Sequence, residues 1–130
     1  MEEFRERMVS HGYQQRGEFR YDNFCGTEGE DAAEWRKMNF REPADGRRVH
    51  IHVREQGRLN QRYALLFRDF VRANKTIRVG YEITKRRLAE IFPECIDGYL
   101  YIKDPFMDVM FESARIWARE ADWAFDQDYL

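Results

Sequence analysis

Residues 47–54 read RRVHIHVR, and this stretch decides the fold because two kinds of side chain alternate along it. Val49, Ile51 and Val53 are β-branched, whereas the positions around them are basic or imidazole side chains. Successive side chains of a β-strand point to opposite faces. The stretch therefore predicts a strand with one apolar face. The opposite face would carry four polar side chains: Arg48, His50, His52 and Arg54.

Two further strands are predicted upstream of this one. The segment 34–40 (EWRKMNF) alternates two sets of side chains, and 43–46 (PADG) has the residues of a tight turn. The segment 13–21 can form a strand that is interrupted at Gly17, whereas 22–34 is rich in Gly, Asp and Glu and predicts a loop. These segments indicate a small antiparallel sheet of about three strands.

The rest of the chain shows helical periodicity. Apolar spacing predicts helices over 2–10, 58–74 and 76–92, and a long last helix from about Pro105 to about Trp123. Pro105 is placed in the first turn because proline is tolerated there. A sheet followed by helices predicts an α+β fold, with the small antiparallel sheet packed against the C-terminal helices.

The periodicity also predicts which helical side chains face inward. In the helix over 76–92 these are Tyr81, Ile83, Leu88 and Ile91. In the last helix they are Phe106, Val109, Met110, Ala114, Trp117 and Ala121. Neighbouring residues on a helix point apart, so Arg68 and Asp69 are expected to have separate partners. Tyr81 and Lys85 have the i, i+4 spacing that places one side chain over the other.

Composition limits the possible functions. A chain of 130 residues with 43% apolar and 35% charged residues predicts a single domain over 1–130. It shows neither a transmembrane stretch nor a signal peptide, so we expect a cytoplasmic protein that is not bound to membranes. The net charge of −2 gives no general attraction to nucleic acid, so none is expected as a partner. The two cysteines lack CxxC spacing and are expected to be free thiols.

Taken together, these segments resemble the GrpB family, whose members have a nucleotidyltransferase-like fold. The resemblance covers nearly all of the chain and corresponds to the C-terminal two-thirds or so of the family. It rests on the order and spacing of six segments: GYQQRGEF (12–19), EWRKMNF (34–40), RRVHIHVR (47–54), NQRYALLFRDFVRAN (60–74), YEITKRRLAEIFP (81–93) and DGYLYIKDPFMDVMFESARIWA (97–118). Together they make the resemblance specific.

The chain departs from the family at one motif. Family members usually begin with a region that carries a GSTAVPGL…KPIIDI-like stretch, similar to the triphosphate and Mg²⁺ signature of nucleotidyltransferases. CGTEGE (25–30) lacks the strand that would precede such a motif, and DQD (126–128) lies in a terminal tail. Because phosphoryl transfer uses carboxylate-bound metal ions to neutralise developing charge, the resemblance implies a protein that is not catalytic alone. The alternative is a nucleotidyltransferase-type enzyme that another chain or a missing segment completes.

The histidine strand has three interpretations. As a metal pair, His50 and His52 would be too few ligands, and no spacing in the sequence supplies a third. As an anion-binding face, the strand would hold a phosphorylated or nucleotide-like ligand. The residues of that candidate ligand site are Lys37, Arg48, His50, His52 and Arg54. Alternatively the face is polar surface that bonds to loops or water. No catalytic residue, metal or cofactor is predicted.

The missing family region also bears on assembly. Loss of the strands that normally lie beside the sheet would leave an edge or a face of the sheet uncovered. Exposed sheet edges and apolar patches are commonly covered by self-pairing. We therefore expect a homodimer.

Overall fold

A computed structural model describes residues 2–17 and 31–124 of the chain. These residues fall into two compact units, the first extending to residue 61 and the second beginning at residue 62. The elements confirm an α+β fold with four helices and a small antiparallel sheet. A nucleotidyltransferase-like arrangement and a single domain over 1–130 stay predictions.

The first unit contains a short helix and the sheet. Helix α1 spans Glu2–Ser10, and the strands are β1 (Gln14–Gln15), β2 (Lys37–Arg41) and β3 (His50–Arg54). A short 3₁₀ helix over Ala32–Trp35 precedes β2. The strand order is β1-β2-β3, and both neighbouring pairs are antiparallel. The predicted sheet of about three strands is therefore confirmed.

The apolar face of the sheet forms as the alternation predicts. Met38 lies opposite Val53, and Phe40 lies opposite Ile51. Phe40 is 1% exposed, and its ring packs edge-on against Phe4 of α1 with 6.4 Å between centroids. Burying an aromatic ring of this size contributes on the order of 2 kcal/mol or more to folding. This contact places α1 on the apolar side of the sheet.

Glycines occupy two turns of the first unit. Gly12 follows α1 with a φ of +82°, a conformation that glycine adopts without steric cost. In the turn between β2 and β3, the amide of Gly46 donates to the carbonyl of Pro43 at 2.8 Å. The turn closes the hairpin and sets the register of the two strands.

The second unit is helical. Helix α2 (Leu59–Ala73) begins in the first unit and continues into the second, which also holds α3 (Lys75–Ile91) and α4 (Ile96–Glu120). Its core cluster contains Leu66 and Phe70 of α2 with Ala114 and Ala118 of α4. None of the helices in the described parts of the chain is long and apolar enough to cross a membrane.

The predicted start of the last helix is wrong. Helix α4 begins at Ile96, and Pro105 lies inside it. The amide of Gly98 is 3.4 Å from Sγ of Cys95, which occupies the N-cap position. An interior proline removes the hydrogen bond to the carbonyl four residues earlier, here that of Tyr101. Both Pro105 and Tyr101 are exposed, so water can hydrate that carbonyl and the helix continues through the proline.

Several inward assignments are also wrong. Val109 is 66% exposed and Ala121 is exposed, because the buried positions of α4 are Met110, Ala114 and Ala118. On α3, Ile83 and Ile91 are exposed. The remaining inward assignments on these two helices are buried or half-buried: Tyr81, Leu88, Phe106, Met110, Ala114 and Trp117. Val109 and Met110 are both apolar and adjacent in sequence, and they point about 100° apart on the helix. The apolar pattern alone therefore does not show which of the two sides faces the core.

Two predictions about charged side chains have opposite outcomes. Nζ of Lys85 lies 4.4 Å from the ring centroid of Tyr81, which confirms the i, i+4 contact. Arg68 and Asp69 were expected to have separate partners, but Nε of Arg68 donates to Oδ1 of Asp69 at 2.8 Å. The long arginine side chain can fold back to its neighbour. Asp69 also accepts a hydrogen bond from the indole of Trp123 at 3.2 Å.

Candidate functional site

The register of β2 and β3 gathers polar side chains on the other face of the sheet. Three pairs lie directly opposite each other: Lys37 with Arg54, Asn39 with His52, and Arg41 with His50. Opposite residues of an antiparallel pair share a face, with Cβ atoms about 5 Å apart. We call five of these residues the cationic face: Lys37, Arg41, His50, His52 and Arg54.

The exposure of these side chains matches a surface site. His50 and His52 are exposed, whereas Lys37, Arg41 and Arg54 are half-buried. Among the predicted site residues, Lys37, His50, His52 and Arg54 are thus brought onto one face by the strand register. Arg48 is exposed and precedes β3, outside the paired residues, so its membership of the site stays a prediction.

Arg41 was missed by the sequence analysis. It occupies the last position of β2 and continues the alternation that Lys37 and Asn39 begin. Extending that alternating set by one more residue would have identified it. What the sequence alone did not show is its partner, because that contact depends on the register with β3.

Arg41 and His50 interact across the strand pair. Nη1 of Arg41 donates to Nε2 of His50 at 2.7 Å. Arginine has no acceptor, so Nε2 of His50 accepts this hydrogen bond. The contact fixes the direction of the Arg41 guanidinium.

Glu42 holds the other side of the Arg41 guanidinium. Its Oε2 lies 3.3 Å from Nε of Arg41 and accepts the backbone N–H of Val49 at 2.9 Å. The hydrogen bond from Val49 is the largest cause that lowers the pKa of Glu42 below its usual value, and the charges of Arg41 and Arg48 lower it further. The carboxylate is therefore charged near neutral pH and orients Arg41.

Arg54 is held by a buried amide. Its Nε donates to Oδ1 of Asn60 at 2.7 Å, and Nδ2 of Asn60 donates to the carbonyl of Trp35 at 2.6 Å. Asn60 is completely buried. Sequence analysis did not single it out, because an asparagine in the first turn of a helix is ordinary in sequence and its importance comes from tertiary contacts. Asn60 fixes the direction of the Arg54 side chain.

A cluster of two arginines and two glutamates lies near the end of β3 in the first unit. Nη2 of Arg36 contacts Oε1 of Glu55 at 2.6 Å, and Arg58 pairs with both Glu55 and Glu34. Oε2 of Glu34 also accepts the backbone N–H of Leu59 at the start of α2. The hydrogen bond from Arg36 is the main cause that lowers the pKa of Glu55. The hydrogen bond that Arg58 donates to Glu34 is the main cause that raises the pKa of Arg58.

Each arginine of this cluster is matched by a glutamate, so the charges of the cluster cancel. Its contacts connect the end of β3 with the beginning of α2. We therefore interpret it as structural rather than as part of a binding site.

The structure offers no metal centre within its described ranges. Over residues 2–17 and 31–124, no three His, Cys, Asp or Glu side chains come together in a way that could hold a metal ion. The segments CGTEGE and DQD lie outside the described residues. The chemistry that the described site can perform is the donation of charge-assisted hydrogen bonds to an anion.

Comparison with known proteins identifies relatives. A family model described as GrpB protein matches residues 1–113. The chain is similar to the UPF0157 protein YqkA of Bacillus subtilis (strain 168), with 31% identity over 117 residues, which cover 90% of the chain and 30% of that protein.

Relatives named dephospho-CoA kinase include the following two. The protein of Mycolicibacterium paratuberculosis is 31% identical over 93 residues, covering 72% of the chain and 23% of its own length. The protein of Mycobacterium leprae is 32% identical over 89 residues, covering 68% and 22%. The chain thus spans less than a third of the length of the curated relatives that it matches.

Proposed function

Because the chain belongs to the GrpB family, we propose that it is a cytoplasmic protein whose cationic face binds the phosphate groups of a nucleotide-like or otherwise phosphorylated small molecule. The observation that best supports this function is the register of β2 and β3, which sets Lys37 opposite Arg54 and Arg41 opposite His50. Arginine and lysine form their strongest hydrogen bonds with anionic oxygens. Arg48 extends this face in the proposed site.

Two cations of the face are held in place before any ligand binds. Glu42 and His50 orient Arg41, and Asn60 orients Arg54. Fixing a side chain in advance reduces the conformational entropy that binding would otherwise cost. Planar guanidinium groups held in this way suit the bidentate geometry of a phosphate.

The relatives suggest the class of ligand. Two of them are named for dephospho-CoA, which combines a nucleotide with a phosphorylated chain. The matched segment covers less than a quarter of those proteins. We therefore propose a ligand of this class, with dephospho-CoA as the first candidate. We do not extend the kinase activity to this chain.

Isothermal titration calorimetry tests this function directly. We would titrate nucleoside triphosphates and dephospho-CoA, with and without Mg²⁺, into the wild type and into His52→Ala and Arg54→Ala. Each substitution should weaken binding about tenfold, since a charge-assisted hydrogen bond contributes roughly 1.4 kcal/mol or more. Arg87→Ala is the matched control, because Arg87 is an exposed cation on α3. Absence of binding heat with every ligand would refute the proposal.

A nucleotidyltransferase-type enzyme completed by another chain or segment is the second candidate. The names of the two relatives favour group transfer from a nucleoside triphosphate in general, although a kinase moves a phosphoryl group and not a nucleotidyl group. Incubation of the chain with dephospho-CoA and a radiolabelled nucleoside triphosphate tests it. We expect binding without transfer, and transfer of label that depends on the protein would establish the enzyme instead.

Self-association is a separate part of the proposed function. Exposed apolar side chains on α4 support it.

A further inference from the structure

Helix α4 exposes an apolar stripe in addition to the side that it buries. Ile102, Val109 and Ile116 are spaced seven residues apart and are 46%, 66% and 45% exposed. Residues at this spacing lie on nearly the same side of a helix, as in coiled coils. We call these three residues the outer stripe. Met110, Ala114 and Ala118 show that the core uses a different side of the same helix.

Charged residues accompany the outer stripe in an ordered way. Asp108 and Glu112 stand one residue before and three residues after Val109. Arg115 and Arg119 occupy the same two positions relative to Ile116. Equal offsets place all four charges along the same border of the stripe. The border is therefore acidic beside Val109 and basic beside Ile116.

We propose that the outer stripe of α4 pairs with the outer stripe of a second copy of this chain in an antiparallel arrangement. Val109 of each copy packs against Ile116 of the other, and a twofold axis passes near Glu112 and Ser113. In an antiparallel pair the same border of each helix meets its counterpart. The acidic half of each border then lies against the basic half of the other.

The charge pattern favours this register over two others. A parallel pair would set the charged border of each helix against the opposite border of the other, so the acids and the arginines would not meet. An antiparallel pair centred on Val109 would bring Asp108 close to Glu112 of the second copy, and these like charges disfavour it. In the proposed register the two Glu112 side chains approach each other at the axis, but each also has Arg115 of the other copy beside it.

A second copy is the occupant that this surface fits best, since its acidic and basic halves complement each other without another protein. Glu112 and Arg115 already form an ion pair within the helix at 3.3 Å, and both are exposed. They can exchange partners across the pair at little cost because exposed ion pairs contribute little. This inference does not depend on phosphate binding, because the outer stripe lies in the second unit and the cationic face in the first.

The first experiment measures molar mass by light scattering at tens of micromolar protein. The wild type should be a dimer, and Val109→Glu should weaken self-association at least about tenfold, because it places a charge in an apolar contact. Val79→Glu is the matched control: Val79 is 43% exposed on α3, and this variant should remain a dimer. Circular dichroism checks that both variants are folded. A monomeric wild type would overturn self-association altogether, whereas a dimeric Val109→Glu would overturn only the assignment to α4.

The second experiment tests the pairing of the charged borders with charge reversals. One variant carries Asp108→Arg and Glu112→Arg, so that its border is entirely basic. The other carries Arg115→Glu and Arg119→Glu, so that its border is entirely acidic. Each variant alone should be monomeric, whereas an equimolar mixture should form a heterodimer that added salt weakens. Failure of the mixture to associate, or dimers of either variant alone, would overturn the antiparallel pairing of the borders.

Discussion

Arg41 donates a hydrogen bond to Nε2 of His50 at 2.7 Å, between residues that lie opposite each other in the sheet. Arginine can only donate, so Nε2 of His50 is the acceptor. The contact fixes the direction of the Arg41 guanidinium on the cationic face. Removing it should leave Arg41 less ordered and should weaken anion binding.

The first prediction follows from this contact. His50→Ala should weaken the binding of ATP about fivefold, because Arg41 loses a partner that orients it and its side chain must then be ordered on binding. Isothermal titration calorimetry at one pH measures the change, with Arg87→Ala as the control. An unchanged affinity in His50→Ala would contradict the role given to this contact.

The second prediction concerns Asn60. Asn60→Ala should lower the free energy of unfolding by about 2 kcal/mol, because it leaves the carbonyl of Trp35 and Nε of Arg54 without their buried partner. Urea denaturation measures the change. Gln14→Ala, at an exposed position in β1, is the control and should change stability little. Equal stabilities of the two variants would show that the Asn60 bonds contribute little.

The third prediction uses the pH dependence of stability. The hydrogen bond from Arg68 is the largest cause that lowers the pKa of Asp69, and the bond from Trp123 lowers it further. A carboxyl with a lowered folded-state pKa stabilises the fold above its unfolded pKa, near 4, and loses that contribution as the pH falls through the folded pKa.

Asp69→Asn should therefore cost up to about 1 kcal/mol near pH 7 and progressively less as the pH falls below about 4. Thermal unfolding across this range measures the difference between the variant and the wild type. Asp104→Asn, at an exposed carboxyl of α4, is the control. A difference for Asp69→Asn that stays constant with pH would rule out the contribution of its charge.

The fourth prediction tests the position of Pro105 inside α4. Pro105→Ala should stabilise the protein by about 1 to 3 kcal/mol, because it restores a backbone donor to the carbonyl of Tyr101. Pro93→Ala is the control, since Pro93 lies between α3 and α4 and should show no comparable gain. Denaturant unfolding compares them. A loss of stability in Pro105→Ala would favour a helix that begins at the proline.

Periodicity predicted the parts of the fold whose side chains repeat. The alternation around His50 and His52 located β3 and separated its two faces, and the helical period located α2 and α3. It failed at Pro105, where the rule that places proline in a first helical turn was overridden by exposure of the affected carbonyl. It also failed at Val109, because an apolar residue on an exposed side cannot be distinguished from a core residue by sequence.

For the candidate site, the sequence predicted which side chains share a sheet face but not what orients them. Lys37, His50, His52 and Arg54 follow from alternation within single strands. The contacts that orient the cations, from His50 to Arg41 and from Asn60 to Arg54, join residues brought together by strand register and by the start of α2. Such contacts are tertiary and leave no periodic signal in the sequence.

Phosphate binding at the cationic face is tested most directly by a two-dimensional ¹H–¹⁵N NMR titration of the wild type with dephospho-CoA. Saturable shifts should concentrate on the amides of β2 and β3, over residues 37–41 and 50–54, while the amides of α4 change little. Saturable shifts confined to α3 and α4, or a spectrum unchanged by a large excess of ligand, would contradict the proposed site.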